Sequence, residues 1–284
     1  MYVSGKLPTS AVGSVNTGAY PVSLNVQDKY AYVVNESGNN LQIIDVSRPS
    51  SPSVVGDVAT INTPYAVYAQ GRYVYVGGVS NPLQIFDISD PTDPTLVGSV
   101  AGSSWTVALQ VQGRYVYASN LSGNTLDIYD VSNPTAPKMV SSFAIGGSPW
   151  KAFVQGSYAY IISHGTDSLE IYDISSPSNP VYRGSVSTGV SSDPKGIDVQ
   201  GNYAYVTNEG TDNLVVVDIT DPTSPSSVGS LATGTDPYSI SVQGRTAYVA
   251  NFGSNTIGSY DVSNPTSPTA ISTVSSSSPY SLFI

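Results

Sequence analysis

Short apolar segments ending in aspartate recur along the chain at an almost constant spacing. Each is followed by serine or threonine two residues later, and by proline four and seven residues later. A spacing of this length indicates a repeat protein rather than a series of unrelated elements. Successive segments are 42 to 45 residues apart and end at Asp45, Asp87, Asp130, Asp173, Asp218 and Asp261.

Four short strands are predicted in each repeat. The innermost is typified by residues 237–242, and a tight turn leads from it to the alternating segment 246–250. The aspartate-terminated segment is the third strand, and a Val-Gly-Ser-Val segment such as residues 97–100 is the fourth. No segment has an apolar period of 3.6 residues over a useful length. Four antiparallel strands repeated every 40 to 50 residues or so are typical of a β-propeller.

The two ends of the chain are predicted to complete the ring. Six repeats are complete, residues 278–284 resemble an innermost strand, residues 8–15 resemble a proline loop and an outermost strand, and residues 1–4 are a candidate second or third strand. We therefore predict an all-β fold: a seven-bladed β-propeller, a single domain over residues 1–284, with six complete four-stranded blades plus one composite blade from the N- and C-terminal strands. Closure within one chain removes sheet edges, whereas exchange of the C-terminal strand between chains would build a filament. The residues predicted to close the blade or to drive assembly are Tyr2, Val3, Val12, Val15, Tyr280, Leu282 and Ile284.

Composition narrows the range of partners. The chain has 20 acidic and 10 basic residues, and its net charge of −10 repels nucleic acid phosphates and anionic lipid headgroups. It contains no cysteine, which excludes disulfides and thiolate metal sites. No apolar run approaches the ~20 residues of a membrane-spanning helix, and no signal peptide pattern is present. We expect neither nucleic acid binding nor membrane insertion.

The innermost strands carry an unusual set of side chains where they would line the channel. At the position after the proline-type residue lie Val22, Tyr65, Val107, Trp150, Lys195, Tyr238 and Tyr280, and the following position is small except at Lys151. The two lysines either hold an anionic group or pair with Asp193 and Asp198. The predicted ligand site at the channel mouth consists of Tyr65, Trp150, Lys151, Lys195, Asp198, Tyr238 and Tyr280.

The predicted loops at the same rim are polar and rich in asparagine. Amides and carboxylates beside tyrosine and tryptophan suit a saccharide site, because a sugar ring stacks on an aromatic face while polar tips bind its hydroxyls. The same residue types are also ordinary turn formers, so both interpretations are open. Asn35 and Asn120 begin Asn-x-Ser patterns for N-glycosylation.

Motifs for catalysis are nearly absent. The single histidine, His164, excludes a multi-histidine metal centre and lies in a predicted turn, where it is either a polar turn residue or a catalytic base. The repeated aspartates are interpreted as acceptors for turn N–H groups, with calcium binding as the alternative. Glu170 and Asp198 depart from the repeat, but nothing in the sequence joins them into an acid pair. We predict no metal and no cofactor.

The aspartate-terminated motif, for example LQIID at 41–45, resembles the LVIVD repeat, and the blades are similar to YVTN-type propeller repeats. The resemblance covers residues 12–284 and implies a surface or secreted protein of bacteria or archaea. We therefore expect a non-enzymatic extracellular or cell-surface structural or interaction module, which binds other proteins or copies of itself, for instance through strand complementation. The alternatives are a carbohydrate-binding propeller for surface glycans and a lyase or hydrolase that works through Lys151, Lys195 and Asp198.

Overall fold

The computed structural model describes residues 7–8, 10–79, 83–102 and 105–284. They form an all-β propeller of six antiparallel four-stranded sheets, each built from four strands that are consecutive in sequence. From blade 1 to blade 6, the first strand of each sheet packs beside the first strand of the next, so that the blades follow one another around a common axis. No helix in these ranges has the length and hydropathy of a membrane span.

The strands of each blade run from the axis of the ring outwards. Blades 1 to 3 contain β1 (Pro21–Gln27), β2 (Tyr30–Asn35), β3 (Asn40–Asp45), β4 (Ser53–Ala59), β5 (Pro64–Gln70), β6 (Tyr73–Gly78), β7 (Leu83–Asp87), β8 (Thr95–Val100), β9 (Thr106–Gln112), β10 (Tyr115–Asn120), β11 (Thr125–Asp130) and β12 (Lys138–Ala144). Blades 4 to 6 contain β13 (Pro149–Gln155), β14 (Tyr158–Ser163), β15 (Ser168–Asp173), β16 (Val181–Ser187), β17 (Pro194–Gln200), β18 (Tyr203–Asn208), β19 (Asn213–Asp218), β20 (Ser226–Ala232), β21 (Pro237–Gln243), β22 (Thr246–Asn251), β23 (Thr256–Asp261) and β24 (Thr269–Ser275).

The apolar faces of neighbouring blades pack against each other. Val34, Leu41 and Ile43 of blade 1 form one cluster with Val67 and Val76 of blade 2, and all five side chains are 0–5% exposed. Each such side chain stabilises the fold by about 1.5–3 kcal/mol when it is fully buried. Successive side chains of a strand point to opposite faces of the sheet. Each blade therefore makes apolar contacts with both of its neighbouring blades.

Turn chemistry explains the first hairpin of each blade. The innermost strand always ends in glutamine, and the residue that follows has a positive φ. Glycine adopts this conformation without steric cost, and aspartate tolerates it. The residues at this position are Asp28, Gly71, Gly113, Gly156, Gly201 and Gly244, with φ between 57° and 62°.

The glutamines at these turns link each blade to the next. Gln27 Nε2 donates to the carbonyl oxygen of Gly71 at 2.8 Å. The same bond repeats in the pairs Gln70–Gly113, Gln112–Gly156, Gln155–Gly201 and Gln200–Gly244. In the described part of the chain, Gln243 of blade 6 makes no such bond. The glutamine belt therefore runs from blade 1 to blade 6 at the end of the channel where the first hairpins turn.

The repeated aspartates close the third strand of every blade. The backbone N–H of Ser47 donates to Asp45 Oδ1 at 2.8 Å, and the other five blades repeat this contact at 2.8–2.9 Å. These bonds satisfy the turn that precedes the proline loop, and the structural interpretation of the aspartates is confirmed. Arg72 and Arg183 add ion pairs to Asp87 and Asp173.

The predicted seventh, composite blade is wrong. The described residues form six four-stranded sheets, and none of those before Pro21 or after Ser275 belongs to a strand. In a blade, two other strands separate the innermost strand from the outermost one. The two described terminal segments match only those two strands, so neither finds a neighbour for a backbone ladder among the described residues. Tyr2 and Val3, predicted to help close the ring, lie outside the described residues.

Both terminal segments pack on the first and last blades of their own chain. The Leu7 N–H donates to Ser272 Oγ of β24 at 3.0 Å, and Gly13 lies so close to the carbonyl oxygen of Pro49 that a Cβ would clash there. The Leu282 N–H donates to Ser239 Oγ of β21 at 3.4 Å. The other predicted closing residues are Val12, which is exposed, Val15, which packs on blade 1, and Ile284, which is exposed.

Candidate functional site

The innermost strands surround a cavity on the axis of the ring. Its volume is about 340 Å³, and its wall extends from Tyr65 at one end of the strands to Gln112 at the other. Residues 280–283 of the C-terminal segment complete the wall beside the six innermost strands. We call the end at Tyr65, where loops enter the innermost strands, the channel mouth.

Aromatic side chains fill much of the channel mouth. Tyr65 meets Trp105 and Trp150 edge to face, with ring centroids 6.4 and 6.5 Å apart. Trp150 meets Tyr238 at 6.3 Å, and Tyr238 meets Tyr280 at 4.7 Å. The hydroxyls of Tyr65 and Tyr280 are hydrogen-bonded, and desolvation raises the pKa of Tyr238 to about 12. The structure thus brings the four predicted aromatic residues together, and they pack on one another.

Lys195 is buried beneath these rings in a cluster of charges. Its Nζ lies 2.9 Å from Asp193 Oδ1 and 3.3 Å from Glu209 Oε2, and its side chain is 7% exposed. The same atom lies 4.0 Å from the ring centroid of Trp150. Burial raises the pKa of Glu209, and the charge of Lys195 opposes that shift. Lys195 therefore forms the predicted pair with Asp193, and it occupies a face of Trp150 that the saccharide interpretation needs free.

Lys151 stands in a different environment on the neighbouring innermost strand. It occupies the position after the register shift of β13, where the other innermost strands carry Ser, Ala or Gly. Burial lowers the pKa of Lys151, and the charge of Asp198 opposes this shift. Within the described residues, no ion pair shorter than 4.0 Å joins Lys151 to Asp198, so this predicted pair is not formed.

The two acids that break the repeat have separate structural partners. Asp198 accepts hydrogen bonds from the Val199 and Val242 N–H groups at 2.7 and 2.6 Å, and so connects blades 5 and 6. Burial raises its pKa. Glu170 of β15 accepts from the Tyr172 hydroxyl at 2.8 Å, and no bond in the described chain joins it to Asp198. Among these residues, no group of three or more His, Asp or Glu side chains is placed to hold a metal ion.

One column of residues on the mouth face, apart from His164, was not predicted from the sequence. Each follows the second strand of a blade and donates its N–H to the residue just before an innermost strand, as from Phe252 to Asp236 at 2.8 Å. Variation between repeats at a fixed backbone position is the signal that would have revealed this column. Its members are Glu36, Val79, Leu121, His164, Glu209 and Phe252.

Two members of this column stand beside the aromatic cluster. Phe252 is 38% exposed, and its ring centroid lies 5.7 Å from that of Tyr238. His164 Nδ1 lies 3.5 Å from Asp193 Oδ1, and its ring is 6.3 Å from that of Trp150. The sector of the mouth formed by blades 4 to 6 therefore combines partly exposed aromatic, imidazole and carboxylate groups.

The two glycosylation patterns start at buried asparagines. Asn35 and Asn120 end the second strands of their blades and are 0% exposed. Asn35 Nδ2 donates to Gln42 Oε1 at 3.1 Å, and Asn120 Oδ1 accepts from Thr106 Oγ1 at 2.8 Å. The folded chain leaves no room for a glycan on either side chain.

Solved structures share this fold at low sequence identity. A functionally unknown protein from Desulfotomaculum acetoxidans is 14% identical, with a TM-score of 0.79 over 94% of this chain and 89% of that chain. The periplasmic gluconolactonase PpgL of Pseudomonas aeruginosa is 15% identical, with a TM-score of 0.80 over 94% and 88%. A putative 6-phosphogluconolactonase from Bacteroides uniformis is 16% identical, with a TM-score of 0.77 over 89% and 84%. At these identities the likeness shows the fold alone.

Sequence comparison gives a family but no individual relative. No curated protein sequence matches this chain. The family model of the LVIVD repeat matches six segments, one for each blade of the structure: residues 20–60, 65–102, 101–144, 146–188, 192–233 and 236–276. These segments span most of the chain and coincide with the strands described above. The chain belongs to the LVIVD repeat family.

Proposed function

We propose that this protein is a non-enzymatic recognition module that binds a saccharide at the sector of the mouth formed by blades 4 to 6. One observation carries the proposal: the partly exposed ring of Phe252 lies in the same sector as two carboxylates held by a buried lysine. Asp193 and Glu209 are 37% and 28% exposed at their side chains, while Lys195 between them is 7% exposed. Lys195 also lies 5.9 Å from the ring of Tyr238, on which Phe252 packs.

The chemistry of this sector suits a polyhydroxylated ligand. An aromatic face takes up the apolar side of a sugar ring, and carboxylates accept hydrogen bonds from its hydroxyl groups. Lys195 fixes both carboxylates before the ligand arrives, and the packed blades hold their backbones, so that little conformational entropy is lost on binding. The acidic side chains favour a neutral or cationic sugar over an acidic one at this surface.

Binding is a better match to the observed contacts than catalysis. Of the three residues considered for a lyase or hydrolase, Lys195 is held in two ion pairs and Asp198 in two backbone hydrogen bonds. Neither is free to transfer a proton without breaking contacts that hold the blades. Two structural neighbours are named as a gluconolactonase and a putative 6-phosphogluconolactonase, so hydrolysis of a sugar lactone is the activity to assay against this proposal.

Glycan-array screening followed by saturation-transfer NMR tests the proposal. We expect the wild-type chain to bind at least one neutral or amino sugar, and Phe252→Ala and Glu209→Gln each to weaken binding about tenfold, since each removes one favourable contact. Leu121→Ala is the matched control, because Leu121 occupies the same backbone position in blade 3, outside the sector. Trp150→Ala is a poorer test, since Trp150 contacts Lys195 and two other rings.

A blank array, or equal losses in Phe252→Ala and Leu121→Ala, would refute the saccharide site. Turnover of gluconolactone that depends on Glu209 would refute the non-enzymatic role. Extracellular location, binding to other proteins and self-assembly stay predictions. Two of the C-terminal residues expected to drive strand exchange, Tyr280 and Leu282, make hydrogen bonds within their own chain.

A further inference from the structure

The cavity on the ring axis contains a cation with no ion pair or hydrogen bond to the described chain. Lys151 extends from β13 at a level where the cavity wall is otherwise built from small side chains. No hydrogen bond or ion pair joins its Nζ to another residue of the described chain. The small residues at this level are Ser23, Ala66, Ala108, Ser239 and Ser281.

The other basic residues of the described chain are either paired or exposed. Lys195, Arg72, Arg114 and Arg183 each have a carboxylate within 4.0 Å. The exposed ones are Lys29, Arg48, Lys138 and Arg245. Lys151 is therefore the one inward-facing cation, within these ranges, that lacks a carboxylate at ion-pair distance.

Asp198 does not act as the ion-pair partner of Lys151. Both of its carboxylate oxygens already accept backbone N–H groups, from Val199 and Val242. The bond from Val242 corresponds to the one that Asn25 Oδ1 accepts from the Ala69 N–H between blades 1 and 2. Asp198 thus attracts Lys151 through space but is fixed to the wall by contacts between blades. An uncompensated cation away from bulk water gains more from a bound anion than an exposed lysine does.

We propose that the channel cavity binds a small organic carboxylate through Lys151. The volume of about 340 Å³ lies near the lower end of the range for ligand pockets, roughly 300–1,000 Å³, and limits the ligand to a small molecule. Serine hydroxyls of β21 and of the C-terminal segment line the cavity beside Phe153 and Tyr68, so that polar and apolar parts of such a ligand both find suitable surfaces. The lowered pKa of Lys151, caused by burial, agrees with an amine that lacks its counter-ion.

This site is distinct from the saccharide surface proposed at the mouth. Its ligand contacts the interior of the channel, and its key residue lies on β13, whereas Phe252 and Glu209 project from loops outside the channel. Failure of one proposal therefore leaves the other unaffected. Phe252→Ala should leave carboxylate binding unchanged.

Isothermal titration calorimetry of the full chain with acetate, succinate, inorganic phosphate and neutral succinamide tests the proposal. We expect a carboxylate to bind, succinamide not to bind, and Lys151→Gln to weaken carboxylate binding at least about tenfold, because a charge-assisted hydrogen bond is lost. Lys138→Gln is the matched control and should bind as the wild type does, since Lys138 is exposed on β12. Lys151→Arg, which keeps the charge, should retain binding better than Lys151→Gln. Thermal unfolding of each variant establishes that it is folded.

Two outcomes would overturn the site: no carboxylate binds to the wild type, or Lys151→Gln binds as tightly as the wild type. Binding of phosphate alone, lost in Lys151→Gln, would overturn the assignment to an organic carboxylate. Equal binding of succinate and succinamide would show that the charge of Lys151 is not the determinant, and would also contradict the proposal.

Discussion

Two lysines on adjacent innermost strands have opposite electrostatic environments. Lys195 lies between Asp193 and Glu209, whereas Lys151 has no ion pair in the described part of the chain. Removal of one partner from a buried charge cluster leaves the remaining charges uncompensated. Removal of a partly buried charge that has no ion pair instead relieves a desolvation cost.

We therefore expect substitutions of these two lysines to change stability in opposite directions. Lys195→Met should lower the free energy of unfolding by ~1–2 kcal/mol, less than for a fully buried pair because both carboxylates are partly exposed. Lys151→Met should raise it by ~0.5–1 kcal/mol, at the expense of the proposed carboxylate site. Urea denaturation at pH 7 measures both, with the exposed Lys138→Met as control. A loss of stability in Lys151→Met similar to that in Lys195→Met would contradict the difference in environment.

Single residues were predictable where the repeat itself made them stand out. Lys195 and Lys151 are the charged residues in two neighbouring columns of the repeat, and the structure places both at the channel. Phe252 was missed because it lies in an ordinary-looking turn, and its exposure beside Tyr238 depends on packing between elements. The role of Asp198 was missed because its hydrogen-bond donor, the Val242 N–H, belongs to the next blade.

At the scale of elements, the C-terminal segment 279–284 forms part of the cavity wall although it belongs to no strand. The hydroxyl of Tyr280 is hydrogen-bonded to that of Tyr65, and the ring of Tyr280 packs on Tyr238. Burial raises the pKa of Tyr280, as expected for a phenol held between other rings. The segment is therefore anchored by one side chain more than by its backbone.

Substitution of Tyr280 should reveal this anchor. Tyr280→Phe should cost ~1 kcal/mol through the lost hydrogen bond, and Tyr280→Ala ~2–4 kcal/mol through lost packing. Tyr182→Phe is a suitable control, because its hydroxyl bonds to Ser185 on an exposed surface and its loss should change stability by less than ~0.5 kcal/mol. Urea denaturation monitored by tryptophan fluorescence measures these differences. Wild-type stability in Tyr280→Ala would mean that the segment is not held in the channel.

At the scale of the whole molecule, the repeat predicted the propeller but not the number of blades. The six units that carry the aspartate motif form the six sheets, because each supplies four strands that pair in sequence order. Residues 279–284 share the side-chain pattern of an innermost strand, and Tyr280 does take a place at the channel. A strand also needs a neighbouring backbone, and no described residue provides one. Pattern matching detects side chains, whereas blade number is decided by hydrogen bonds between segments far apart in sequence.

The motif aspartates of all six blades also set the response of the whole ring to acid. The pKa of each carboxyl group lies below its ordinary value, because hydrogen bonds and arginine partners favour the charged form, and that of Asp173 falls to about 2. An acid whose pKa is lowered by folding contributes stability that is present above its unfolded pKa, about 3.9, and lost as pH falls through the folded pKa. We expect the urea midpoint to decrease steeply between about pH 4 and pH 2.

A single substitution separates this contribution from the general effect of acid. Asp218→Asn keeps an oxygen that can accept the Thr220 N–H but removes the titrating group, so the slope of the midpoint against pH should be shallower below about pH 4 than in the wild type. Burial raises the pKa of Asp198 and Glu209, and these groups act in the opposite sense: their protonation relieves a cost and stabilises the ring slightly as pH falls towards 4. A wild-type midpoint that does not change between pH 4 and pH 2, or an identical slope in Asp218→Asn, would show that the motif carboxylates do not hold the blades in their charged form.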